Sequence, residues 1–213
     1  MGIQERKERE RERRRQQIIV AAKRVFSEKG FSRATMEDIA KAAELSPGTL
    51  YLYFKNKDEL YASLSIRILH YLLIRLEHVA KEAGTDLEAR MASLKKALLD
   101  VYDFDPLMII NMFHLQSSET LRNLSPDLMA KIEALSRKSL GTMARILEMG
   151  IREGVFIDRH PMALADILWA LFSGVILWEE SKKVINAEKD FVRPTFELAF
   201  DIFARGLRAP QRH

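Results

Sequence analysis

The sequence contains no cysteine, which excludes disulfide bonds, thiolate metal sites and a cysteine nucleophile. With only 9 glycines and 6 prolines among 213 residues, it also lacks the turn residues that an all-β fold requires. Its longest uncharged apolar run, from Ile167 to Trp178, has twelve residues, whereas a membrane-spanning helix needs about 20. The charged N-terminus has no apolar signal segment. These absences predict a soluble cytoplasmic protein with no membrane partner.

Signatures of enzymes are missing as well. The five histidines form no HExxH motif and no cluster with metal-ligand spacing. The sequence contains neither of the glycine-rich phosphate-binding patterns GxGxxG and GxxxxGK[ST], and no GxSxG nucleophile elbow. We therefore expect no catalytic residues, no metal and no cofactor.

Positive charge is concentrated at one end of the chain. Residues 1–60 contain fourteen Lys and Arg against ten Asp and Glu, whereas residues 61–213 contain twenty of each sign. The whole net charge of +4 therefore belongs to the first quarter of the chain. A basic end on a neutral body is typical of a protein that binds a polyanion, although a solvated helix start would give the same excess.

Apolar residues recur with helical spacing along most of the chain, and no segment alternates with the period of a strand. The pattern predicts an all-α fold of about nine helices in two domains. Residues 1–60 form a three-helix head with a helix-turn-helix and a charged extension over 1–15. Residues 61–213 form a larger helical body.

The segment between residues 35 and 60 carries the signals of a helix-turn-helix. Thr35 and Asp38 have capping-box spacing, and Ser46-Pro47 is a hydroxyl cap followed by proline at the first helical position. The short helix that begins at Ser46-Pro47 leaves hydroxyl groups exposed, and these can contact phosphates or base edges.

The run TMEDIAKAAELSPGTLYLYFKNKDEL, Thr35 to Leu60, closely resembles the DNA-binding signature of TetR-family transcriptional regulators. The resemblance extends upstream through AAKRVFSEKGF and departs at Glu44, where the family often has glycine. It implies a homodimer that binds double-stranded DNA and responds to a small-molecule effector, with residues 61–213 as the effector-binding and dimerisation domain. The positions that it implies for DNA contact are Thr35, Ser46, Pro47, Gly48, Thr49, Tyr51, Tyr53 and Lys57. The arginines at 13–15 are either a solvated face or an arm that reads a groove.

The last two helices are apolar on more than one face, which predicts that one face meets the subunit's own core and another a symmetric partner. This agrees with the family, in which the last two helices of each subunit form a four-helix bundle. A monomer with a thick core is the alternative. The predicted dimer-interface residues are Leu171, Val175, Trp178, Phe196, Phe200 and Phe203.

Methionine and aromatic residues in the middle of the chain could line an effector pocket, although such residues also form ordinary core. The candidate pocket residues are Met108, Met112, Phe113, His114, Met143, Trp169 and Phe172. They suggest an apolar or amphipathic ligand. The sequence thus predicts a ligand-responsive repressor of a palindromic operator. A sequence-nonspecific DNA-binding protein and an all-α carrier without DNA function are the alternatives.

Overall fold

The computed structural model describes residues 2–82, 86–116, 121, 124–183 and 190–210, and nine helices occupy these ranges. The helices are α1 (Ile3–Arg33), α2 (Met36–Ala42), α3 (Pro47–Tyr51), α4 (Lys57–Lys81), α5 (Leu87–Phe104), α6 (Pro106–Gln116), α7 (Pro126–Arg152), α8 (Pro161–Lys183) and α9 (Val192–Gly206). The prediction of an all-α fold is confirmed.

Local signals set several helix ends, and those at Thr35 and Ser46 are as predicted. Thr35 and Asp38 form a reciprocal capping box on α2, and the Ser46 side chain caps α3 with Pro47 at the first helical position. Asn56 caps α4 by accepting a hydrogen bond from the Glu59 N–H at 2.9 Å. Gly30, with φ 74°, interrupts α1 one turn before its end, because glycine tolerates this left-handed region.

The head is a three-helix unit formed by α1, α2 and α3. Its core contains large apolar side chains that are almost completely buried, among them Ile18, Ile39, Leu50 and Phe54. Because α4 is continuous from Lys57 to Lys81, the predicted boundary at residue 60 falls in the first turn of a helix shared by both parts. The head and the body are therefore joined by a helix rather than by a flexible linker.

In the body, α4 packs against α5, α6 and α7, while α8 packs between α7 and α9. The buried carboxylate of Glu179 on α8 accepts hydrogen bonds from Lys182 Nζ at 2.6 Å and from Thr195 Oγ1 on α9 at 3.1 Å. This partnered charge holds the start of α9 on α8, since a buried carboxylate is tolerated only when it is satisfied.

Candidate functional site

The turn between α2 and α3 is closed by backbone hydrogen bonds. The Glu44 N–H donates to the Lys41 carbonyl at 3.1 Å, and the Leu45 N–H donates to the Ala40 carbonyl at 2.9 Å. Glu44 has a φ of 57°, in the left-handed region where a side chain costs about 1 kcal/mol. The two short helices are thus held together as a helix-turn-helix, with a strained residue at the turn.

Helix α3 is anchored on one side and bare on the other. Leu50 in α3 and Phe54, three residues after the end of α3, are buried in the head. On the opposite side Tyr51 is 48% exposed and Leu52 is 75% exposed, the highest exposure among the large apolar side chains of the described residues. Pro47 and Gly48 are exposed too. An apolar side chain this exposed is a candidate contact that the predicted site residues did not include.

Two of the predicted site hydroxyls act as helix caps. The Thr35 hydroxyl accepts from the Asp38 N–H at 3.1 Å, and the Ser46 hydroxyl accepts from the Thr49 N–H at 3.2 Å. The Ser46 and Thr49 hydroxyls also bond to each other at 2.9 Å. A hydrogen bond from Lys29 Nζ, followed by those from Thr35, lowers the pKa of Asp38 below its usual value. These groups shape the site before any ligand is bound.

Lys57 has an intramolecular role that the sequence did not indicate. Its ammonium group donates to the carbonyl oxygens of Phe31 at 3.0 Å, Ser32 at 3.3 Å and Ala34 at 3.4 Å. It also lies 4.6 Å from the centre of the Phe31 ring. Because a lysine ammonium has three donors, these carbonyls can use all of them. Lys57 therefore ties the start of α4 to the end of α1.

Tyr53 and the arginine run meet beside α3. The Arg15 guanidinium donates to Ser63 Oγ at 3.1 Å and lies 4.8 Å from the centre of the Phe54 ring. Arg13 is paired with Glu10 at 2.7 Å. Tyr53 is half-buried next to Arg15, and both side chains line a common cleft. Of the three arginines, Arg15 is therefore a tie between α1 and α4.

Most of the predicted pocket residues are core residues. Met108, Met112, Phe113 and Phe172 are buried, and the rings of Phe113, Trp169 and Phe172 lie 5.4–6.0 Å apart. The His114 side chain lies outside the described residues. The predicted residues that line a cavity are Met143 and Trp169.

That cavity lies between α4, α7 and α8 and has a volume of about 60 Å³. Its lining consists of Leu69, Leu72, Ser136, Ser139, Leu140, Met143 and Trp169. The Ser139 hydroxyl is buried there without a hydrogen-bond partner among the described residues. A buried hydroxyl without a partner is costly, so this cavity has an unmet capacity to bind a polar atom.

Two of the predicted interface residues on α9 lie inside the subunit. Phe196 and Phe200 are buried in the subunit's own core, where the Phe196 ring lies 5.0 Å from the Phe172 ring. Leu171, Val175 and Phe203 are half-buried. The bare apolar side of α9 carries Leu198 and Ile202 instead, 61% and 62% exposed.

These two residues and an exposed stripe on α8 form what we call the α8–α9 face. The stripe consists of Ala163, Ile167, Ala170, Gly174 and Trp178. By length and composition alone, α8 is the one helix among the described residues that could cross a membrane. The protein thus exposes an apolar surface that water alone covers poorly.

Comparisons with known proteins agree with this architecture. Residues 18–64 match the family described as "Bacterial regulatory proteins, tetR family". The fatty acid metabolism regulator protein of Bacillus subtilis (strain 168) is 32% identical over 149 residues, which are 70% of this chain and 74% of that protein.

Two solved structures share the fold. The TetR-family regulator PfmR from Thermus thermophilus superposes with a TM-score of 0.71 at 22% identity, covering 90% of this chain and 99% of that one. The regulator FadR from Bacillus subtilis, solved in complex with stearoyl-CoA, gives a TM-score of 0.68 at 24% identity. That superposition covers 91% of this chain and 99% of FadR.

Proposed function

This chain belongs to the TetR family of bacterial transcriptional regulators, and on that premise we propose that it is a homodimeric repressor released from DNA by an amphipathic effector. Each subunit inserts the bare side of α3 into a major groove of a palindromic operator. The observation that carries the proposal is the asymmetry of α3 and the residues that follow it, with Leu50 and Phe54 in the core and Tyr51 and Leu52 in solvent.

The exposed side of α3 suits the edges of bases better than phosphates alone. The Leu52 side chain can contact a thymine methyl group, and the Tyr51 hydroxyl can donate to a base edge or a phosphate. Gly48 has no side chain, so the backbone of α3 can come close to the DNA. Lys57 contributes by holding α4 on α1 behind α3.

The operator can be found by selecting bound sequences from a random duplex pool. On that operator, Tyr51→Ala and Leu52→Ala are each expected to raise the dissociation constant at least tenfold. Ile74→Ala, which truncates a similarly exposed side chain on the body, is the matched control and should leave it unchanged. Equal binding of scrambled and selected duplexes would favour a nonspecific DNA-binding protein, and no binding to either would favour a carrier.

A dimer follows from the small size of the reading head, since two half-sites about one helical turn apart are needed for specific affinity. The α8–α9 face supports this proposal, because its large apolar side chains flank small ones that let helices approach closely. Trp178→Glu and Ile202→Glu are expected to give monomers in light scattering. Ile74→Glu adds the same charge away from the face and should remain dimeric. Dimers of all three variants would argue against this interface.

The effector is proposed to bind in the cavity between α4 and α7. Its volume of about 60 Å³ is smaller than the ~150 Å³ cavity that admits benzene, so a ligand enters as a narrow chain or widens it. The stearoyl-CoA bound to FadR supports a ligand with an apolar chain. Because the cavity wall includes Leu69 and Leu72 of α4, a ligand that moves this helix changes the separation of the two heads.

Stearoyl-CoA is therefore the first probe. It is expected to release the operator in a mobility-shift assay, whereas coenzyme A without the acyl chain should not. Leu140→Trp, which enlarges a side chain of the cavity lining, should abolish release while operator binding without stearoyl-CoA is unchanged. If stearoyl-CoA still released the operator from the Leu140→Trp protein, the effector would bind outside this cavity.

A further inference from the structure

The first turns of helix α1 extend beyond the packed part of the head. Residues 3–14, which we call the N-terminal arm, precede Arg15 and Ile18, the first residues of α1 that are tied to the head. At 1.5 Å per residue the arm extends about 18 Å. Side chains 4–13 are exposed, so packing does not hold the arm. Its helix is supported by local pairs such as Arg13–Glu10 and Gln16–Glu12, both at 2.7 Å.

One side of the arm is purely cationic. Lys7, Arg11 and Arg14 follow each other at spacings of four and three residues, so they lie on one stripe of the helix. The same stripe continues downstream as Ile18 and Val25, which are buried against the rest of the head. The cationic stripe therefore continues the side of α1 that packs against α2 and α4.

The acidic residues of the arm do not occupy that stripe. Glu10 lies at one edge of it, paired with Arg13, while Glu8 and Glu12 lie at the other edge. Lys7 and Arg11 have no hydrogen-bond or ion-pair partner among the described residues. Lys7 and Arg11 therefore keep their hydrogen-bond donors available for a ligand. The part of α1 that carries them does not pack against the core.

A cleft lies between the arm and the end of α3, and Arg11 is the member of the stripe that lines it. It has a volume of about 450 Å³ and is lined by Glu8, Arg11, Glu12, Arg15 and Tyr53. Tyr53 follows α3 directly, and Arg15 fixes the base of the arm through Ser63 and Phe54. The arm is consequently the element that borders the end of α3 on this side.

We propose that Lys7, Arg11 and Arg14 bind the phosphate backbone that flanks the groove occupied by α3, so that the arm extends the DNA footprint of each head. The inference rests on the proposed function, since it requires α3 to enter a groove. A groove is bordered by phosphates, and cations beside the reading helix neutralise them with release of counterions. These contacts add affinity without reading sequence.

The test compares two triple variants that remove the same charge from opposite sides of the arm. K7Q/R11Q/R14Q removes the stripe, and R6Q/R9Q/R13Q removes three arginines from the far side. Glutamine keeps a high helix propensity, so the arm should stay helical in circular dichroism. Dissociation constants on the selected operator are measured over a series of KCl concentrations, and hydroxyl-radical footprints are taken for each protein.

The stripe variant should lower the slope of log affinity against log salt by about 0.9 for each phosphate that the arm no longer neutralises, and its footprint should shrink at both outer edges. The far-side variant should keep the wild-type slope and footprint. If both variants lost the same affinity, the arm would act only by long-range electrostatic attraction. If neither variant changed binding, the arm would not contact the DNA. Either result overturns the proposal while α3 binding stands, whereas failure of the wild type to select an operator overturns the function on which it rests.

Discussion

Lys23 on α1 forms an ion pair with Asp105 at the junction of α5 and α6, which joins the head directly to the body without passing through α4. Asp105 serves α6 at the same time, since its Oδ1 accepts from the Met108 N–H at 3.3 Å. The carboxylate is mostly buried at this corner. One side chain therefore couples the cap of a body helix to the orientation of the head.

Substitutions at this pair separate its two roles. Asp105→Ala removes the cap and the ion pair and should lower the free energy of unfolding by about 1–2 kcal/mol in urea titrations. Lys23→Gln and Asp105→Asn, which keep the cap, should each cost less than about 1 kcal/mol. If Asp105→Asn were as damaging as Asp105→Ala, the ion pair rather than the cap would dominate at this corner.

Glu44 in the turn before α3 carries removable strain. Because its φ of 57° favours glycine, Glu44→Gly should raise the free energy of unfolding by up to about 1 kcal/mol, reduced by the greater chain entropy of glycine. Glu44→Ala keeps the side-chain penalty and is the control, with little change expected. Urea unfolding of both variants measures the difference, and a Glu44→Gly protein less stable than Glu44→Ala would contradict the prediction.

Gly150 on α7 is required by a close contact. A Cβ atom there would lie 2.6 Å from Cε2 of Phe156 and 2.9 Å from Cδ2 of Leu87. Gly150→Ala should therefore cost about 1–3 kcal/mol of unfolding free energy, because the ring must move. Gly141, on the same helix, has open space around its Cα, so Gly141→Ala should be neutral or stabilising by up to about 1 kcal/mol. Thermal unfolding of the pair checks this, and equal melting temperatures would contradict it.

The buried phenol of Tyr61 should lower the stability of the fold at high pH. Burial against Phe26 and Phe31, whose ring centres lie 5.4 and 4.5 Å away, raises the pKa of the Tyr61 phenol to about 12. Since this folded pKa exceeds the unfolded value near 10, its contribution to stability is full below pH 10 and is lost as the pH rises toward about 12. Ellipticity and tyrosinate absorbance should change together in that window.

Tyr61→Phe is the control for this titration and should weaken the loss of stability above pH 10. Tyr102, whose pKa burial also raises, remains in the variant and accounts for any residual loss. A Tyr61→Phe protein with the wild-type alkaline transition would assign the effect to other groups.

The signals that were predicted correctly are local ones. Thr35 and Ser46 cap α2 and α3 as expected, because each hydroxyl accepts from a backbone N–H three residues further along. The apolar faces of α2 and α3 could likewise be predicted from spacing within a single helix. The resemblance to the TetR family rested on this same segment, and the comparisons confirm it.

Other roles depended on residues far apart in the sequence. The carbonyls that bind Lys57 lie 23–26 residues upstream, so its sequence context suggested an exposed charge rather than a tie. Arg15 reaches Ser63 across 48 residues in the same way. No local pattern identifies such partners, because they come together only when α1 and α4 pack.

The sequence by itself determined where the helices begin, which of them form the reading head and how charge is distributed between head and body. These properties follow from hydrogen bonds and periodicity within one turn of helix or within one stretch of chain.

Only the tertiary structure decided which apolar side of α9 is covered. Phe196 and Ile202 belong to equally periodic stripes, and the packing of the Phe172 ring against Phe196 leaves Ile202 in solvent. A helix that is apolar on two sides does not encode which side its neighbour occupies, because burial depends on elements from elsewhere in the chain.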